Sequence, residues 1–273
     1  MKKFIISAIY CFALIGVAFG QTNIQVISEV EGREIMTMIK TLHLANTSLA
    51  YRSAVVQRML PEVNYFSDRL MLPTPHPIQL SDVNAIHVVA PWFSKIEDTN
   101  VSSPVIRART AKIVVGGFIE TTNFCFYFHQ GNLWSIVNKV HHMERFDLYP
   151  IWDKTPSLIN SNGAFQLATQ WLASIDVDTV ALEKKYGSKM KIDQAFFWNP
   201  PATTNKTFLP IFNVTWGEAP DYSVQVRILG TTKELMQFNM PDISLSHRPL
   251  LAMTNAIELV NIADPQLKQL QHP

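Results

Sequence analysis

The densest group of side chains able to do chemistry is His141, His142 and Glu144. If the preceding strand continues, His142 and Glu144 face one way at about 6–7 Å between Cα atoms, a spacing that suits two ligands of a metal such as zinc. No third or fourth ligand stands nearby, and adjacent histidines at a strand end are usually solvated, so a surface cluster competes with the metal reading. Cys125 and His129 alternate with Phe124, Phe126 and Phe128, which puts the thiol, Tyr127 and the imidazole on one strand face. Four extended residues separate the pair by roughly 13 Å, whereas a nucleophile and its base need about 3 Å. Cys125 therefore reads as a structural thiol. Asp176 and Asp178 form a carboxylate pair between two helices, able in principle to divide acid and base roles or hold calcium. Capping accounts for Asp178 equally well. Tyr149, Trp152 and Asp153, with Trp198 and Asn199, are the residue types that bind a sugar ring or a peptide when exposed, and that fill a core when buried.

No G-x-S-x-G, H-E-x-x-H, Gly-rich phosphate loop, Cys-x-x-Cys or EF-hand loop occurs. The usual local signatures of hydrolases, nucleotide enzymes and dithiol redox proteins are thus missing, although a triad assembled from distant residues needs no such signature. No cofactor is expected.

The first twenty residues read as a signal peptide. Lys2 and Lys3 precede the apolar run Phe4–Phe19, and Ala18-Phe19-Gly20 offers small residues before a cut between Gly20 and Gln21. Cys11 lies within the apolar run, away from a lipoprotein cleavage position. The expectation is a secreted or periplasmic protein with no membrane span after cleavage. Loss of the two lysines takes the formal charge from +1 to −1, too small to attract nucleic acid. Cys125 alone then remains of the 2 cysteines, so no intrachain disulfide forms. Apolar residues at 47% and charged ones at 16% describe a folded chain with a large core. Four Asn-x-Ser/Thr triplets, at Asn46, Asn100, Asn205 and Asn213, read as chance beside a bacterial-looking leader.

These residues need elements to position them. Ala164, Leu167, Ala168, Trp171, Leu172 and Ile175 keep one stripe of a helix over Ser161–Ile175, capped by Ser161 or Asn162. Val56, Met59, Leu60, Val63, Phe66 and Leu70 do the same for an earlier helix capped within Asn46-Thr47-Ser48, with a kink or two abutting helices expected near Pro61. A short helix should run from Asp178 to Gly187, and another over Leu250–Ile262. Residues 78–103 fit either a helix capped by Ser81 or a strand ending at Pro91. Period-two stretches predict strands at Ile106–Val115, Phe124–Phe128, Leu133–Val140, Lys191–Trp198, Phe208–Trp216, Tyr222–Leu229 and Lys233–Phe238. Turns are expected at Gly116-Gly117, Gln130-Gly131-Asn132, Asn199-Pro200-Pro201 and Gly230-Thr231-Thr232, and a long loop over 141–160. The order helix, then antiparallel strands, occurs twice. The fold expected is α+β, two helix-plus-sheet units in tandem (21–150 and 151–273) with helices on one face of each sheet.

A helix followed by a curled sheet ending in YSVQVRILGTTKELMQFNM resembles PepSY-like and cystatin-like α+β modules. The whole chain is similar to uncharacterised secreted bacterial proteins. Phe238-Asn239-Met240-Pro241 stands where a PepSY repeat closes on an acidic, glycine-bearing strand end. The resemblance implies inhibition or protein binding rather than catalysis, and carries no site residue over.

The leading expectation is a non-catalytic exported module that binds a protein, peptide or envelope component. The alternatives are an exported hydrolase, metal-dependent through His141, His142 and Glu144, and a carbohydrate-binding module using Trp152 or Trp198.

Overall fold

The computed structural model describes residues 37, 40–41, 44–45, 47–93, 113–129, 132–142, 146–198, 206–217, 224–240 and 245–246. The leader, the Leu250–Ile262 helix, the Asn199-Pro200-Pro201 turn, Glu144 and the 106–112 part of the first expected strand lie outside them.

Helix α1 spans Leu49–Arg69. Ser48 caps it by accepting the Tyr51 N–H at 3.4 Å. It runs on through Pro61 as one helix, not two, and buries Tyr51, Val55, Val56, Met59, Val63 and Phe66. Neither alternative for residues 78–103 holds as expected. A 3-10 turn at Leu80–Asp82 is followed by strand β1 at Ala85–Phe93, which runs through Pro91 instead of ending there. Residues 94–103 lie outside the described residues. Asp82 Oδ2 accepts the Gln79 N–H at 2.8 Å, so that turn starts at Gln79 and not at Ser81. Strands β2 (Ile113–Glu120), β3 (Phe124–His129) and β4 (Asn132–Asn138) complete an antiparallel meander.

Two further expectations fail in this half. Gly116 and Gly117 do not turn the chain; they pair with Val89 and Val88 on one side and with His129 and Phe128 on the other. Ladder hydrogen bonds on both edges outweigh the local preference of glycine for turns, and the flanking Ile-Val-Val and Phe-Ile run supplies the strand character. The stretch 141–160 is not all loop. A 3-10 turn at Phe146–Leu148 leads into helix α2, Tyr149–Lys154, which tolerates Pro150 because the first turn of a helix needs no N–H donor there.

Helix α3 spans Ser161–Ser174, one residue later than the cap that starts it. Asn160 Oδ1 accepts the Gly163 N–H at 2.9 Å, in place of the expected Ser161 or Asn162. Its stripe behaves as its spacing requires: Ala164, Ala168, Leu172 and Ile175 are fully buried and Trp171 nearly so. Helix α4 (Thr179–Tyr186) is capped by Asp178 Oδ1 on the Ala181 N–H at 2.8 Å and ends before Gly187. Strands β5 (Lys191–Trp198), β6 (Lys206–Trp216), β7 (Val224–Leu229) and β8 (Glu234–Asn239) form the second meander.

The protein is α+β. Its strands form one eight-stranded antiparallel sheet in the order β1-β2-β3-β4-β8-β7-β6-β5. The last strand of each meander makes the seam, with Ser135 opposite Asn239, Ile136 opposite Phe238 and Val137 opposite Gln237. Helices α1, α3 and α4 cover one face, over a core that includes Phe124, Phe126, Ile136, Val214, Val226 and Phe238. Helix α2 lies on the opposite face, because it packs against Leu209, Ile211 and Leu229, whose side chains alternate with those of the main core. Among the described residues no helix is long and apolar enough to cross a membrane.

Candidate binding surface

The face of the sheet away from α1 and α3 carries two cross-strand rows of polar and aromatic residues. Strand register fixes them. One row runs Phe118, Tyr127, Ser135, Asn239, Gln225, Thr215. The next runs Glu120, Cys125, Val137, Gln237, Arg227, Asn213. Side chains in register on an antiparallel pair are direct neighbours, and here they hydrogen-bond. Ser135 Oγ donates to Asn239 Oδ1 at 2.5 Å, and Asn239 Nδ2 donates to Gln225 Oε1 at 2.9 Å. The Arg227 guanidinium donates to Gln237 Oε1 at 2.8 Å. Asn213 Nδ2 donates to Thr215 Oγ1 at 3.1 Å, while its buried Oδ1 has no partner among the described residues. The seam between the meanders is therefore stitched on this face by polar side chains.

Helix α2 builds an aromatic wall beside the second row, over Ile211 and Leu229, two positions along β6 and β7 from Asn213 and Arg227. Trp152 is buried on Leu209, Ile211, Leu229 and Met236. The Tyr149 ring lies 5.7 Å from Trp152, 5.9 Å from Phe197 and 5.3 Å from Phe146, between ring centroids. Phe146 and Ile151 remain exposed, and so does Asp153. Burial raises the Tyr149 phenol above its ordinary pKa, and the nearby Arg227 charge opposes that rise, which places the cation beside the wall.

The structure thus brings together Tyr149 and Trp152 from the expected ligand set. Trp152 is a core residue of the wall, not a free platform. Asp153 points its chemistry to solvent, Trp198 closes β5, and Asn199 lies outside the described residues. Of the expected metal set, His141 has its Nδ1 3.0 Å from Glu234 Oε2, the carboxylate oxygen being the acceptor, and its ring lies 6.5 Å from that of Trp152 between centroids in a T-shaped arrangement. Asn138 Oδ1 accepts the N–H groups of Val140 and His141 at 2.9 Å each, which fixes the chain there. His142 is half-buried beside it. Among the described residues no three His, Cys, Asp or Glu side chains converge as a metal would require.

The other candidates resolve structurally. Burial, with Glu120 adding to it, pushes the Cys125 thiol up to about 11, which leaves little reactive thiolate at neutral pH. Asp178 is a helix cap. Asp176, at φ 58°, accepts from the Tyr65 hydroxyl at 2.6 Å and sits 3.7 Å from Arg69, so it ties α3 to α1.

Arg227, Gln225, Gln237, Asn239 and Ser135 had no motif to announce them. The alternation in VQVRIL signals that Gln225 and Arg227 share a face, but their partners depend on the β4–β8 seam. Compared with family models, with curated proteins and with solved structures, the chain matches none of them.

Proposed function

We propose that the protein is an exported, non-catalytic binding module that takes a protein or peptide segment on the polar face of its sheet, against the aromatic wall of α2. The observation that carries this reading is the junction of Tyr149, Phe146 and Phe197 with Arg227 and the amide-bearing rows. Aromatic and arginine side chains around a partly desolvated surface are what peptide and protein partners use as anchors. Gln225, Arg227 and Gln237, half-buried near the wall, offer amide and guanidinium groups to an extended backbone. The tandem-unit organisation and the likeness to cystatin-like modules belong to the same proposal. Each half supplies a helix and a four-stranded meander, and such modules bind proteins.

A carbohydrate ligand is the second reading. It is favoured by the proximity of the Tyr149 ring to hydrogen-bonding side chains, since a sugar offers an apolar face and hydroxyls together. One selection discriminates. Purified protein is exposed in parallel to a displayed peptide library and to a glycan panel. Peptides should be enriched, and their binding should fall about tenfold or more on Tyr149→Ala and on Arg227→Ala. Enrichment of glycans alone would replace the leading reading with the second. Turnover of a hydrolase substrate, abolished by one polar substitution, would end both.

A further inference from the structure

Strand β5 ends the eight-stranded sheet, and among the described residues it pairs with β6 alone. Its outer edge offers a row of backbone N–H and C=O groups to another strand. Lys191–Gln194 pair with β6 in unbroken register, and a bulge between Gln194 and Phe196 then bends the ladder. The straight part of the edge is thus Lys191, Ile192, Asp193 and Gln194. Lys191 lies opposite Thr215 and Asp193 opposite Asn213, so these two side chains carry the two polar rows out to the edge. Both are exposed, and neither has an ion-pair partner among the described residues. Ile192 between them turns to the other face, against the main core.

Edge strands that resist pairing carry proline, or charges that repel a copy. This edge carries one charge of each sign, two residues apart, and symmetry decides what they do. Two copies joined edge to edge by a two-fold axis run antiparallel, with like faces together. The axis must then pass through a residue, because a register centred between residues sets Ile192 of one face opposite Asp193 of the other. An axis at Lys191 sets that ammonium opposite its own copy, and an axis at Asp193 does the same with the carboxylate. An axis at Gln194 brings the bulge into the new ladder. An axis at Ile192 sets Lys191 opposite the copy's Asp193, and does so twice. Opposite charges directly across an antiparallel pair stabilise it, and like charges destabilise it.

We propose that a second copy of this chain pairs with β5, antiparallel about a two-fold axis at Ile192, so that two eight-stranded sheets become one. Backbone hydrogen bonds hold the two edges together, and the two Lys191–Asp193 contacts select the register. On the polar face the two rows of one copy run on into those of the other. The pairing holds whatever that face binds.

Sedimentation equilibrium of the intact protein tests this. A dimer should form within a concentration range reaching about 1 mM. Lys191→Asp and Asp193→Lys should each weaken it about tenfold or more, because each sets like charges face to face at both contacts. An equimolar mixture of the two variants should dimerise again, since every contact in the mixed pair is of opposite sign. The double swap in one chain should do the same. Recovery on mixing is a result that misfolded variants could not give. A chain that stays monomeric across the range would overturn the proposal. So would a dimer that both single variants leave intact, or a loss that neither mixing nor the double swap repairs.

Discussion

Helices α1 and α3 both pack into the main core on one face of the sheet, yet they bury different chemistry. Helix α3 offers the sheet Ala164, Ala168, Trp171 and Leu172. The helix lies against β5, β6 and β7, its small residues let it come close, and Trp171 is nearly buried in the same core. Helix α1 buries Val55, Val56, Val63 and Phe66 but also Tyr51, Glu62 and Ser67. It is also tied by polar bonds at several points. Asn64 exchanges two hydrogen bonds with Ile78, its Nδ2 donating to the carbonyl at 3.1 Å and its Oδ1 accepting the N–H at 2.7 Å. Glu62 Oε1 accepts the Leu133 N–H at 3.0 Å. Phe66 reaches across the seam to Phe238, with 6.0 Å between centroids. The α3 interface with the sheet is therefore made by apolar fit, and that of α1 by fit plus specified polar contacts.

The largest effect should come from the apolar side of that comparison. Trp171→Ala removes a nearly buried ring from the α3 interface and should lower stability by about 3–5 kcal/mol, the range for large core truncations. Urea unfolding checks it. A loss well below 1 kcal/mol would mean that α3 rests on the sheet without being anchored by it.

Glu62→Ala probes the polar side. It deletes the acceptor for the buried Leu133 N–H, and an orphaned buried donor costs about 1–3 kcal/mol. Glu62→Gln keeps an acceptor oxygen of the same reach and should recover most of the loss. If Gln and Ala destabilise equally, the carboxylate contributes through its charge and not through that hydrogen bond.

These two residues also mark what the sequence could and could not disclose. Trp171 was legible because its neighbours Ala168, Leu172 and Ile175 repeat at helical spacing, and a repeat is a property of the chain itself. The bounds of β5 and the start of β3 were legible for the same reason, with period two. Glu62 was not. A glutamate on an apolar helix face is ordinarily a solvated residue, and its partner is a backbone N–H more than seventy residues away. The candidate surface failed to show for the same physical cause. Which side chains stand beside Arg227 and Asn239 depends on the pairing of β4 with β8, which no local turn connects. Gly116-Gly117 and the α2 helix misled in opposite directions: the glycines carry turn composition inside a ladder, and Pro150 carries loop composition in the first turn of a helix.

A smaller effect is expected where the helices meet each other. Tyr65 on α1 donates to Asp176 after α3, and the Arg69 guanidinium donates to the Ser174 carbonyl at 2.8 Å. The site is part-exposed, so Tyr65→Phe should cost about 0.5–1.5 kcal/mol. A double-mutant cycle with Asp176→Ala should return a coupling energy of at least about 0.5 kcal/mol. Additive losses would show that the two helices reach the sheet independently, and the contrast between them would then stop at their own meanders.

The smallest effect should come from Tyr51, and it decides how the buried polar groups of α1 are to be read. Its ring is fully buried, and its hydroxyl has no hydrogen-bond partner among the described residues. Burial pushes the phenol well above its ordinary pKa. Removing a hydroxyl that gains nothing on burial relieves its desolvation and leaves the ring packing intact. Tyr51→Phe should therefore change stability by no more than about 1 kcal/mol at neutral pH, toward the stable side. The pH profile adds a second readout. The native phenol holds its proton where the unfolded one ionises, so stability should fall as pH rises above about 10, and Phe should reduce that slope. A loss approaching that of Glu62→Ala would show the hydroxyl to be bonded, and α1 would then be held by specified polar contacts along its whole length rather than from its middle onward.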